Sequence, residues 1–159
     1  MSQTKSHTYT CRLVWTGAQQ GSITDYQRYS REYQIEVAGK DTLTGTSDPA
    51  FRGDAGLWNP EDWLVAALVG CHFLSYAALC ARGGIEVVHY EDQATGIMEM
   101  DPQIKTLRFI KVMLNPIVTL AKGADVERAR SYHRQAHKEC FIANSVNFPV
   151  FNEPTIVVQ

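Results

Sequence analysis

The sequence is poor in the features that would assign it to a specialised class. It has no Cys-x-x-Cys pair, no internal repeat, no low-complexity segment and no linker. Without that cysteine spacing, a zinc ribbon and a thioredoxin motif are excluded. Neither sign of charge is in excess: 15 Lys and Arg face 17 Asp and Glu, for a net charge of -2. Nothing electrostatic therefore points to nucleic acid or an anionic membrane as a partner. No unbroken apolar run reaches the roughly 18 residues of a membrane span. The longest stretch, residues 63–81, is interrupted by Gly70, His72 and Ser75. Met1-Ser2-Gln3-Thr4-Lys5-Ser6-His7 lacks the apolar segment of a secretory signal, so a cytoplasmic location is expected. Structural disulfides are rare there. Cys11, Cys71, Cys80 and Cys140 accordingly read as free, catalytic or metal-binding rather than as a disulfide framework.

What is present fits a globular α+β chain. With 159 residues, 45% hydrophobic and 20% charged, a single domain over 1–159 is expected, with residues 1–8 a flexible N-terminus. Residues 8–15 alternate, with Tyr9, Cys11, Leu13 and Trp15 on one face. Residues 17–21 read as a turn, and strands over 32–37 and 42–46 meet at Gly39-Lys40-Asp41, giving an antiparallel meander. After a loop over 47–58, Asn59 is a good helix cap and Pro60 a good first helical residue, and Glu61 and Asp62 favour the positive helix end. That helix runs to about Arg82 and stops at Gly83-Gly84. Its apolar residues cover nearly the whole circumference, which predicts a central buried helix. Strands follow at 86–92, 96–100 and 108–115, then a helix over 126–140 capped by Asp125, then strands at 143–150 and 155–158. The order βββ-α-βββ-α-ββ indicates sheets wrapped on two helices.

The chemistry-bearing residues cluster on those helices. Cys71 lies in the apolar helix and Cys140 closes the second, each beside charged or imidazole neighbours. Thiol chemistry competes with the plainer reading of small packing residues, which is preferred for Cys11 and Cys80. Glu61 precedes Cys71 by ten residues, about 15 Å along a straight helix, so it cannot touch that sulfur directly. It either complements the helix dipole or acts through an arginine that spans the gap. Arg52, in the preceding loop, and Arg31, at the start of a strand, are the arginines that could lower a thiol pKa. Both also read as solvated surface charges. His133, His137 and Cys140 share one helical stripe, which is half of a zinc site or a set of imidazoles shielding a thiol. Trp58, Phe73 and Phe141 flank the cysteines and either pack the core or line an apolar substrate pocket.

Several motifs together carry a family likeness. They are Ser47-Asp48-Pro49, Phe51-Arg52-Gly53, Asn59-Pro60-Glu61-Asp62-Trp63-Leu64, Cys71-His72 and Cys140-Phe141-Ile142-Ala143. From about residue 10 onward the chain resembles the OsmC/Ohr family of osmotically induced proteins and organic hydroperoxide reductases, in its OsmC-like branch. The resemblance implies an intertwined homodimer with antiparallel sheets around two central helices. It implies a peroxidase in which Cys71 attacks the peroxide O–O bond and becomes a sulfenic acid. Cys140 then condenses with it to a disulfide, a dithiol reductant resets both, and no cofactor is called for. Glu61 corresponds to the glutamate that positions an arginine. The reductase branch carries that arginine in an N-terminal Gly-rich turn. The matching stretch, Thr16-Gly17-Ala18-Gln19-Gln20-Gly21, has none, so Arg52, or else Arg31, is expected to serve. The competing readings are an OsmC-like protein that binds a small apolar ligand without turnover, and a metal site on His133, His137 and Cys140.

Overall fold

A computed structural model of the chain describes residues 6–159; of the expected flexible stretch 1–8, the first five positions lie outside the described residues. The elements in chain order are β1 (Arg12–Trp15), β2 (Tyr33–Glu36), β3 (Leu43–Gly45), α1 (Pro60–Arg82), β4 (Val87–Asp92), β5 (Thr95–Met100), β6 (Leu107–Leu114), β7 (Pro116–Leu120), α2 (Val126–Glu139), β8 (Val150–Asn152) and β9 (Thr155–Val158). The fold is α+β, and the chain divides into two compact units, one ending at Trp63 and the other spanning Leu64–Gln159.

In the first unit β1, β2 and β3 form an antiparallel sheet in that order. Gly39, at φ 77°, makes the left-handed turn that returns β2 into β3. The register places Tyr33 opposite Gly45. A Cβ on Gly45 would come 2.6 Å from the Trp63 ring and 3.0 Å from that of Tyr33, so only glycine lets these aromatics close over the strand. Arg12 and Glu36 pair at 2.7 Å on the exposed side, a contact worth less than about 1 kcal/mol in water.

The second unit holds two three-stranded sheets, β4-β7-β9 and β5-β6-β8. β4 and β7 pair antiparallel, as do β5 and β6, and the late strands β8 and β9 add in parallel to β6 and β7. The strand expected at 108–115 does not end the run. Val112, Leu114, Pro116, Val118 and Leu120 are buried in strict alternation, so one apolar face continues through Pro116 into β7. A proline is tolerated as the first residue of a strand. The strand expected over 143–150 is instead a short 3-10 turn, Ala143–Ser145, followed by a loop. β8 begins only at Val150, because the Cys140 and Ile142 carbonyls accept from Asn144 and Ser145 and close that turn. Leu68 of α1 packs into one cluster with Val112, Leu114 and Val150. Tyr76, Leu79 and Cys80 of α1 join Val118, Leu120 and the small Ala129 and Ala136 of α2 in another.

Helix α1 departs from its expectation in two ways. As a helix it is long and apolar enough to cross a bilayer, and only 28% of its most apolar stretch is buried. The buried stripe is Leu68, His72, Tyr76, Leu79 and Cys80, while Ala66, Ala67, Phe73, Leu74 and Ala78 stay exposed. A stripe at these spacings is one face of a core helix. The described residues leave the opposite flank only partly covered.

Candidate active site

Asn59 accepts the Asp62 amide at 2.8 Å, and the Asp62 carboxylate reaches back to the Asn59 amide, so the first turn of α1 is closed by a reciprocal cap. Glu61 lies in this turn, half-buried, and its Oε2 is buried with no hydrogen-bond partner. Among the described residues no ion pair involves Glu61. Burial first, and then the Glu61 charge, raises the Tyr33 phenol. Tyr33 also packs edge-on to Trp63, with ring centroids 5.9 Å apart. Sequence reasoning read Tyr33 only as a strand position, because its approach to Glu61 depends on sheet register, which spacing cannot show.

The two candidate arginines line one open cleft of ≈ 430 Å³ with Glu32 and Asp54. Arg31 is committed there: it donates to the Tyr29 and Tyr26 carbonyls at 2.8 and 2.6 Å, and its guanidinium lies 4.1 Å from the Tyr29 ring centroid. Arg52 is exposed and 5.9 Å from the Tyr26 ring. It adopts φ 70° at the end of a 3-10 turn, Pro49–Phe51, that Asp48 caps through the Ala50 amide. A left-handed arginine stores strain that its surroundings must impose. Here Gly53 presses so closely on the Ser47 carbonyl that no side chain fits.

Both candidate thiols lie in the second unit. Cys71 is half-buried on α1, and Cys140, 1% exposed, ends α2. All four cysteines are free. The Cys140 thiol is pushed up to about 11, first by burial and then by the neighbouring Cys71 thiol, against the opposing pull of the Ala143 and Ile142 amides. The Ala143 amide reaches its sulfur at 3.4 Å. Cys80 is buried beside the Tyr76 hydroxyl, and burial raises its thiol. Cys11, expected to pack, is instead exposed, because the first residues of its stretch precede β1 and lie uncovered.

The histidines do not form the metal stripe that their spacing allowed. His133 turns inward, and its Nδ1 meets His72 Nε2 at 3.1 Å across the two helices. The Tyr76 ring stacks on His133 with centroids 3.8 Å apart. Burial lowers both imidazoles. His72 falls to about 4, helped by His137, and His133 to about 3, helped by His72 and Arg130. Among the described residues no three His, Cys, Asp or Glu side chains are arranged to hold a metal ion. Of the aromatics expected at the substrate, Phe73 packs on Tyr90 at 4.8 Å. Trp58 and Phe141 are largely open, at 55% and 81% exposed.

A family model described as OsmC-like protein matches residues 53–153. The chain belongs to the OsmC-like family. An OsmC-like protein of unknown function from Vibrio cholerae has a similar structure, with TM-score 0.86 and 27% identity over 94% of this chain and all of that one. Similar folds at lower identity include an organic hydroperoxide resistance protein from Legionella pneumophila, with TM-score 0.68 and 16% identity over 95% of this chain and 97% of that one. Another is OhrB of Bacillus subtilis, with TM-score 0.61 and 18% identity over 92% and 98%. In sequence, the chain is 26% identical over 91 residues to the uncharacterized protein YmaD of Bacillus subtilis. That match spans 55% of this chain and 59% of the relative's length. OsmC-like membership accounts for the α+β architecture, and some of the family's folds are those of hydroperoxide resistance proteins.

Proposed function

We propose that this OsmC-like protein is a thiol peroxidase in which Cys71 reduces an organic hydroperoxide or hydrogen peroxide and Cys140 resolves the product. The approach of the two thiols within the second unit carries this reading. A resolving thiol held near 11 stays protonated at neutral pH and does not compete for peroxide. The half-buried Cys71 keeps a path to solvent. In the first step its thiolate attacks the peroxide, the O–O bond breaks, the alkoxide leaves as the alcohol after taking a proton, and sulfur becomes sulfenic acid. The Cys140 sulfur then displaces hydroxide from Cys71. Its thiol proton leaves with that hydroxide as water, and an S–S bond remains. A dithiol reductant supplies two electrons and two protons to restore both thiols.

Arg52 is assigned to favour the Cys71 thiolate, and Glu61 to orient that guanidinium. The unpartnered Glu61 Oε2 supports this, since a buried carboxylate oxygen without a donor is costly and calls for a cation. Trp58, Phe73 and Phe141 are assigned to the organic part of the peroxide. The uncovered apolar surface of α1 supports a homodimer, in the cytoplasm, in which a second copy covers Phe73 and Leu74. Titration of reduced protein with cumene hydroperoxide, followed by intact mass and disulfide mapping, tests the reading. Loss of two hydrogen atoms per chain, mapped to a Cys71–Cys140 bond, is expected. Oxidised protein whose Cys71 remains a free thiol contradicts it, and retention of an apolar ligand without peroxide consumption moves the reading to binding.

A further inference from the structure

The proposed reaction uses two sulfurs and leaves the most deeply buried polar groups of the second unit without a task. His72 and His133 are 1% and 0% exposed, and a buried polar ring is less stabilising than an apolar one of its size unless its nitrogens are paired. Each cysteine-bearing helix contributes one ring. His72 follows Cys71 directly on α1, and His133 lies seven residues, about two turns, before Cys140. Among the described residues, their 3.1 Å contact is the one side-chain hydrogen bond between α1 and α2. Burial keeps both rings neutral, so one nitrogen donates and the other accepts. Tyr76 fixes the orientation by stacking flat on His133, and Tyr90 of β4 packs behind it at 6.1 Å. The other titratable or charged groups that face the pair are His137 and Arg130, both on α2.

We propose that His72 and His133 are positioning residues whose shared N–H fixes α1 against α2 and so keeps Cys71 within bonding reach of Cys140. The purpose rests on the peroxidase reading. A disulfide tolerates only a narrow range of Cα separations, roughly 4.4–6.8 Å. A slip of one residue along either helix moves a sulfur by about 1.5 Å. A bond two turns from one cysteine and one residue from the other resists that slip.

The effective concentration of the Cys71/Cys140 couple, measured in mixtures of reduced and oxidised dithiothreitol, reads this geometry without peroxide. Asn at 133 keeps a nitrogen near the place of Nδ1, Gln at 72 keeps one near Nε2, and Leu at either site removes the bond. His133→Leu should lower the effective concentration by about tenfold or more, while His133→Asn and His72→Gln stay within about threefold of wild type. Equal loss in His133→Leu and His133→Asn, or loss in neither, would overturn the proposal. Ring-nitrogen spectra of the wild type give a check that no folding defect can blur. His72 Nε2 and His133 Nδ1 should appear as one protonated and one bare nitrogen, and two protonated nitrogens there would also overturn it. Peroxide consumption is read separately. A wild type that consumes none sinks the peroxidase reading, while the Leu/Asn contrast stands or falls on its own.

Discussion

Arg31 and Arg52 in the first unit and His72 and His133 in the second are all nitrogen-bearing side chains, and what separates them is water. The arginines line an open cleft with Glu32 and Asp54, where solvent screens each charge. The imidazoles, with Tyr76 and Cys140, are sealed in hydrocarbon. Screened charges contribute little singly and tolerate loss. Sealed groups shift their protonation by whole units and cannot be removed without leaving a partner unsatisfied. Glu61 is the exception in the first unit, since one of its oxygens is buried and bare.

The contrast can be tested in steps of decreasing effect. Cys71→Ser should abolish hydroperoxide turnover, by about a thousandfold or more in a coupled assay, since an alcohol cannot replace the thiolate. Residual turnover near the wild-type rate would place the chemistry elsewhere. Cys140→Ser should keep the first oxidation and lose repeated turnover by about a hundredfold, with Cys71 gaining two or three oxygen atoms by mass.

Acid should next expose the sealed pair. An unfolded imidazole takes a proton near 6.5, whereas folded His72 waits until about 4 and His133 until about 3. Their neutral forms are thus favoured by folding. This contribution is complete above about pH 6.5 and is lost as pH falls through 4 toward 3, amounting to several kcal/mol for the two rings together. Urea unfolding at pH 7 and pH 4, compared between wild type and His133→Leu, measures it. An equal fall in both proteins would assign the acid sensitivity to other groups.

The wet arginines should give the smallest effects and differ from each other. Arg52→Ala should lower kcat/KM by about tenfold and leave the melting temperature unchanged. Arg31→Ala should cost about 1 kcal/mol of stability through its lost stacking and carbonyl bonds, with activity little altered. The reverse pattern would hand the thiolate-stabilising role to Arg31.

Much of this was legible in the sequence where one local rule governed. The Asn59–Pro60 start and Gly83–Gly84 stop bounded α1, and Asp125 marked the start of α2. The helices that carry Cys71 and Cys140 followed from the same signals. Legibility failed where partners distant in sequence decide. The strand expected over 108–115 stopped short of Pro116, yet burial alternates straight through that residue because both flanking strands find partners. Residues 143–145 had a strand-like neighbourhood but close a turn that shields the Cys140 sulfur. The His133 spacing revealed a shared helical face and said nothing of His72, which is 61 positions away. Tyr33 met Glu61 for a similar reason, through strand register.

The bare apolar flank of α1 has a consequence for how the protein endures dilution. If that flank is covered only by association, the melting temperature will rise with protein concentration, and a solitary chain emerging from synthesis will be the most vulnerable species of its lifetime. Persistence would then be set by abundance as much as by sequence.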